Sequence, residues 1–82
     1  PITEDAIKHN LKMAEYSKKR SLDSSLGKTL QSKNLRSSKI YLTNAIAMKE
    51  GKKLLTYKNI KEYVQKRFLH SENFIELKGG II

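Results

Sequence analysis

Apolar residues that recur every three or four positions constrain this chain more than any other feature. Ile60, Tyr63, Val64 and Phe68 form such a series, and Ile7, Leu11 and Ala14 form another. That spacing puts each set on one face of an α-helix, whereas a half-buried strand would need strict alternation. Both series have helix-start chemistry in front of them. Thr3 is a capping residue followed by Glu4 and Asp5, whose carboxylates favour the positive end of the helix dipole. Thr56 caps the later series. Ile2 with Ile7, and Leu55 with Ile60, have the placement of hydrophobic staples. Lys18, Lys19 and Arg20 close the first segment at the end that favours cations. The first helix is expected over residues 3–19.

A third segment is centred on Ile40, Leu42, Ala45, Ile46 and Met48. These cover more than one face, which predicts a central helix from Lys39 to about Glu50, with Ser38 as its cap. Gly51 stands where a left-handed residue ends such a helix. The stretch between, residues 21–38, is ambiguous. Leu22, Leu26 and Leu30 are spaced by four, yet Ser24, Ser25, Gly27 and Thr29 among them form helix poorly. It reads either as a loop or as the polar middle of one helix over 22–50. The tail, Phe74 to Ile82, reads as a short hairpin turning at Gly79-Gly80 or as a segment packed on the core. The expected architecture is all-α, three to four short helices in one small domain spanning residues 1–82, with room for a C-terminal β-hairpin.

At 82 residues the chain can bury only a modest core, and only 38% of its residues are hydrophobic. A homo- or hetero-dimer, or a bound polyanion, would add stability that a monomer of this composition lacks. There is no cysteine, which excludes disulfides and Cys-based zinc sites. No apolar run approaches the ~20 residues that cross a bilayer, and no signal-peptide pattern opens the chain. No membrane association is expected, and an intracellular setting is: nuclear in a eukaryote, cytoplasmic in a bacterium or phage. The first residue is Pro1, which fits a processed product or a fragment.

Catalytic chemistry is hard to find. His9 and His70 have no ligand partners at useful spacing, and neither a metal motif nor a nucleophile–base set occurs. Leu26-Gly27-Lys28-Thr29 contains the last residues of a phosphate-binding loop, but Leu22 stands where that loop needs its first glycine. The expectation is a non-enzyme with no cofactor and no small-molecule substrate.

Charge carries the functional signal. Lys and Arg total 17 against 8 Asp and Glu, a net charge of +9. So one-signed a surface attracts polyanions. The candidate contacts are Lys18, Lys19, Arg20, Lys28, Lys33, Arg36, Lys39, Lys52, Lys53, Lys58 and Lys61. Long cationic side chains in turns and at helix ends reach phosphates and release counterions. The expected partner is nucleic acid, DNA ahead of RNA, contacted mainly through its backbone in transcription, replication or chromatin. The alternative is an interaction module whose basic surface meets an acidic protein. Tyr16, Tyr41, Tyr57, Tyr63, Phe68 and Phe74 are aromatics able in principle to stack on bases, with core packing the first reading for Tyr63 and Phe68.

Leu42-Thr43, then Gly51 through Tyr57, Ile60 and Val64, resemble the end of the long helix, second loop and third helix of histone-fold proteins. The relevant subgroup occurs in DNA polymerase epsilon, chromatin-accessibility complexes and the CCAAT-binding factor. Phe74, Leu77, Ile81 and Ile82 resemble its extra C-terminal element. The resemblance implies a heterodimer of histone folds with DNA backbone contacts from Lys18, Lys19, Arg20, Lys52 and Lys53. Residues 23–38 are mostly polar where that family's long helix is apolar. A winged helix is a second arrangement, with residues 57–68 presenting Lys58, Lys61 and Arg67 to a groove.

Overall fold

The computed structural model describes residues 2–52, 54 and 56–68, without the side chains of Tyr57, Arg67 and Phe68. The expected Leu55–Ile60 staple, the contact from Lys53 and the C-terminal hairpin lie outside the described residues. The described chain is all-α. Helix α1 is Glu4–Ser21, a one-turn 3-10 helix follows at Ser24–Leu26, α2 is Gly27–Lys49 and α3 is Tyr57–Phe68. No described helix is long and apolar enough to cross a membrane.

Local chemistry accounts for each boundary. The Thr3 hydroxyl accepts a hydrogen bond from the Ala6 N–H at 3.1 Å, and Glu4 and Asp5 stand in the first turn. Helix α1 ends at Leu22, whose N–H donates to the Lys19 carbonyl at 3.1 Å, and the Ser21 hydroxyl donates to the Lys18 carbonyl at 2.6 Å. The turn is built on Asp23. Its carboxylate accepts from the Ser25 N–H at 3.0 Å and from the Ser25 hydroxyl at 2.6 Å. Those two bonds, with Arg20 nearby, hold the Asp23 carboxyl below its usual pKa of 3.8.

Helix α2 settles the ambiguity of residues 21–38 in favour of one long helix that begins after Leu26. At 1.5 Å per residue its 23 residues span roughly 35 Å. Ser38 is therefore not a cap. It is fully buried in mid-helix, and its hydroxyl donates to the Leu35 carbonyl at 2.6 Å. Helix formation is cooperative, so the well-packed C-terminal half extends the helix through weak formers upstream. Asn34 assists by donating to the Leu30 carbonyl at 2.8 Å.

The C-terminus of α2 is a Schellman cap, as Gly51 led one to expect. Lys52 N–H reaches the Ala47 carbonyl at 2.9 Å, Gly51 N–H reaches Met48 at 3.0 Å, and Gly51 has φ +85°. Asn44 then ties down the following loop by accepting the Leu54 N–H at 3.0 Å. Thr56 caps α3 by accepting from Asn59 N–H at 3.1 Å.

The core sits at one end of an antiparallel α1–α2 hairpin. Ala14, Leu42, Ile46, Ile60 and Val64 form its buried cluster, with Leu11, Ile40, Tyr41, Leu54 and Tyr63 packed around them. Each large aliphatic side chain buried there contributes about 1.5–3 kcal/mol. Residues 42, 43 and 45–48 of α2 are all buried, so this stretch is enclosed on every face, as its apolar pattern predicts. Small residues occupy buried positions on both helices, Ala14 and Ser17 on α1 and Ser38 and Ala45 on α2. The α1–α2 contact is the most extensive between elements. Helix α3 closes the cluster from α2's C-terminal half, and Tyr63 Oη donates to the Glu50 carboxylate beside the α2 cap.

Candidate nucleic-acid interface

The other end of the hairpin has no core. None of the residues from 18 to 37 is buried. The tip therefore consists of the last turn of α1, the 3-10 turn and the first three turns of α2, with side chains in or near solvent. Leu22 is 71% exposed and Leu30 44%. The expected leucine stripe thus does not become core, because Gly27 interrupts it. With φ +80° and ψ 161°, that residue turns the chain between the 3-10 helix and α2.

The tip gathers six of the expected contact residues, Lys18, Lys19, Arg20, Lys28, Lys33 and Arg36, and Lys39 follows just beyond buried Ser38. Asp23 is the one carboxylate between Tyr16 and Lys49 in the sequence. Lys19, Lys28, Lys33 and Arg36 are exposed, and Lys18, Arg20 and Lys39 are half-buried. Lys33, Arg36 and Lys39 follow at three-residue spacing on α2, where like charges repel by about 0.2–0.5 kcal/mol per pair.

Two effects separate these cations. Lys18, Lys19 and Arg20 stand in the last turn of α1, where the helix dipole already favours positive charge. They thus have a structural reason to be there. Lys28 has the opposite setting. It lies in the first turn of α2, which has no acidic residue and no side-chain cap. The amides of that helix start add to the positive potential of the lysines around it. An open depression of about 260 Å³ lies beside them, lined by Ser21, Lys28, Gln31, Ser32 and Leu35. Ser32 and Gln31 can donate to phosphate oxygens there.

The remaining expected contacts are elsewhere. Lys52 follows the α2 cap, and Lys58 and Lys61 lie on the exposed side of α3, packed against the core end. The tip and this second group do not form one cluster in sequence or along α2. Lys66 belongs with the second group, beside Lys52, Leu54, Asn59, Glu62 and Tyr63 around a second depression.

Tyr16 is one of six aromatics in the sequence. Tyr16 is 54% exposed, with the Arg20 guanidinium 5.7 Å from its ring centroid. The signal was available: Tyr16 falls outside the Ile7, Leu11, Ala14 series and between Lys12 and Arg20 at four-residue spacing. Asn44, whose side chain pins the loop, carried no such signal, since its partner is a backbone amide ten residues away.

His9 is exposed, and among the described residues no group of three or more His, Cys, Asp or Glu side chains is placed to hold a metal ion. No family model, curated protein or solved structure matches this chain.

Proposed function

We propose that this protein binds nucleic acid through phosphate contacts made by the tip of the α1–α2 hairpin, with DNA ahead of RNA, and acts by binding rather than catalysis. One observation carries the reading. A coreless helical tip holds six cations and one carboxylate, and their mutual repulsion is relieved by a polyanion. A transcription, replication or chromatin setting follows from that partner. The electropositive start of α2 and the neighbouring Ser32 and Gln31 support it.

The test is fluorescence anisotropy with labelled DNA over a salt series from ~50 to ~200 mM. Log affinity should fall linearly with log salt. The variants Lys33→Ala and Arg36→Ala should each reduce the slope by about one, without sequence dependence. Lys58→Ala and Lys61→Ala should reduce it less. If no probe binds at the lowest salt, the reading fails. If the α3 variants have the larger effect, the tip is not the interface.

A second reading is association with another polypeptide, supported by Leu22 and Leu30 at the tip. The histone-like resemblance of Leu42-Thr43, Gly51 through Tyr57, Ile60 and Val64 in the sequence also implies pairing. Sedimentation equilibrium tests it: a monomer at all concentrations removes self-association.

A further inference from the structure

Phosphate binding leaves one exposed ring at the tip without a role. Tyr16 has more than half its surface in solvent, although its helix neighbours Ala14 and Ser17 are buried. His9, Lys12, Tyr16 and Lys19 are all exposed. Their spacing of three, four and three residues lays them along one outward stripe of α1. Arg20, four residues beyond Tyr16, places its guanidinium over the ring, and its Nη1 donates to Tyr16 Oη at 3.4 Å. The cation occupies one face of the ring and restrains its side-chain torsions. The ring is thus held outward, within one turn of Lys18, Lys19 and Arg20.

We propose that Tyr16 is a stacking platform for an unpaired base, so that the ligand of the basic tip is single-stranded nucleic acid. This rests on the phosphate-binding reading of the tip and narrows its substrate class. In a duplex, base faces are covered by their neighbours, and an exposed tyrosine has nothing to stack on. In a single strand each base offers a free π-face, and interleaved aromatics and cations engage base and phosphate together. Lys12 and Lys19 flank the ring and would hold successive phosphates. The Arg20 guanidinium adds a second planar group at the same place. Asp23 offsets part of this charge, because Arg20 lies near enough to help keep its carboxyl ionised. Its carboxylate is turned to Ser25 through two hydrogen bonds. The chemistry is shared by DNA and RNA strands, since stacking ignores the sugar.

The experiment compares oligo-dT, oligo-U and a duplex of matched length at one salt concentration. The wild-type chain should bind both single strands more tightly than the duplex. Tyr16→Ala should weaken single-strand binding roughly 5- to 140-fold, the range for one stacked base, leave the salt slope unchanged and shift duplex affinity less than twofold. Tyr16→Phe should restore binding. The chain has no Trp, so Tyr16→Trp gives a single tryptophan that can be excited apart from the remaining tyrosines, and its emission should be quenched by oligo-dT. Oligo-U should quench the emission as well, since stacking does not read the sugar. The inference is overturned if Tyr16→Ala weakens strand and duplex equally, if it changes neither, or if the Trp emission is unmoved at saturation. In those cases the Lys33 and Arg36 variants still decide the phosphate reading. If wild type binds no probe, both fall together.

Discussion

Two of the described glycines have positive φ, and they should respond differently to the same substitutions. Gly51, at φ +85°, is the left-handed residue of the Schellman cap after α2. Gly27, at φ +80° and ψ 161°, lies in a region that is essentially glycine-only. A Cβ built on either meets nothing within 4 Å, so the cost of a side chain is backbone strain alone. For Gly51→Ala that strain is about 1–2 kcal/mol. Asn visits the left-handed region readily, so Gly51→Asn should recover most of the loss. For Gly27→Ala the strain is about 1–3 kcal/mol, and Asn offers no relief because the strained angle lies outside the left-handed basin. Losing glycine also restricts the unfolded chain, which offsets about 0.4–1 kcal/mol. The net loss for Gly27→Ala is then about 0–2.6 kcal/mol, up to roughly 10–20 °C in Tm for a chain of this size. Thermal unfolding of the four variants, followed by helical circular dichroism, measures all of this. The reasoning is refuted if Gly27→Asn is more than half as stable again as Gly27→Ala, or if Gly51→Asn is no better than Gly51→Ala. Gly27 also aims α2 out of the 3-10 turn, so its variants should lose nucleic-acid affinity even at temperatures where they remain folded.

Three further outcomes are expected. The Thr43 hydroxyl is fully buried without a hydrogen-bond partner, so Thr43→Val should be neutral to stabilising by about 1 kcal/mol, and a clear loss in urea unfolding would mean that the hydroxyl is bonded in solution. Asn44→Ala strands the Leu54 N–H and should cost about 1–2 kcal/mol by the same measurement; an unchanged midpoint would refute the role given to Asn44. Asp23 should titrate, by carbon-detected NMR, below its usual value of 3.8, and Ser25→Ala should move it back up. A carboxylate depressed in the folded state stabilises above its unfolded pKa, and that contribution disappears as pH falls through the folded one. The turn should therefore loosen only in acid below the usual carboxylate range.

Much of the fold could be read from residue types with local effects. Thr3 and Thr56 cap the helices they were expected to cap, and Gly51 takes the left-handed position, because each needs only its near neighbours in the chain. The apolar series on α1 and α3 contribute Ala14, Ile60 and Val64 to the core for the same reason. The basic excess was visible as composition, but its division was not. Whether Lys28, Lys33, Arg36 and Lys39 share a surface with Lys18, Lys19 and Arg20 depends on α1 and α2 folding back on each other. That depends on the turn at Asp23 and Gly27.

Ser38 shows the limit most plainly. By type it is a helix cap, and by position it lies beside a segment of weak helix formers, so local preference put a helix start there. The structure instead runs α2 straight through it and buries it, since packing against α1 outweighs a few tenths of a kcal/mol per residue of propensity. The sequence by itself determined a mainly helical chain with a small core and a strongly positive charge, because periodicity, capping and charge are properties of neighbours in the chain. Only the tertiary structure decided that the core lies at one end of the hairpin and that the cations of residues 18–20 and 28–36 meet at the coreless other end, because each of these depends on contacts between residues far apart in the chain.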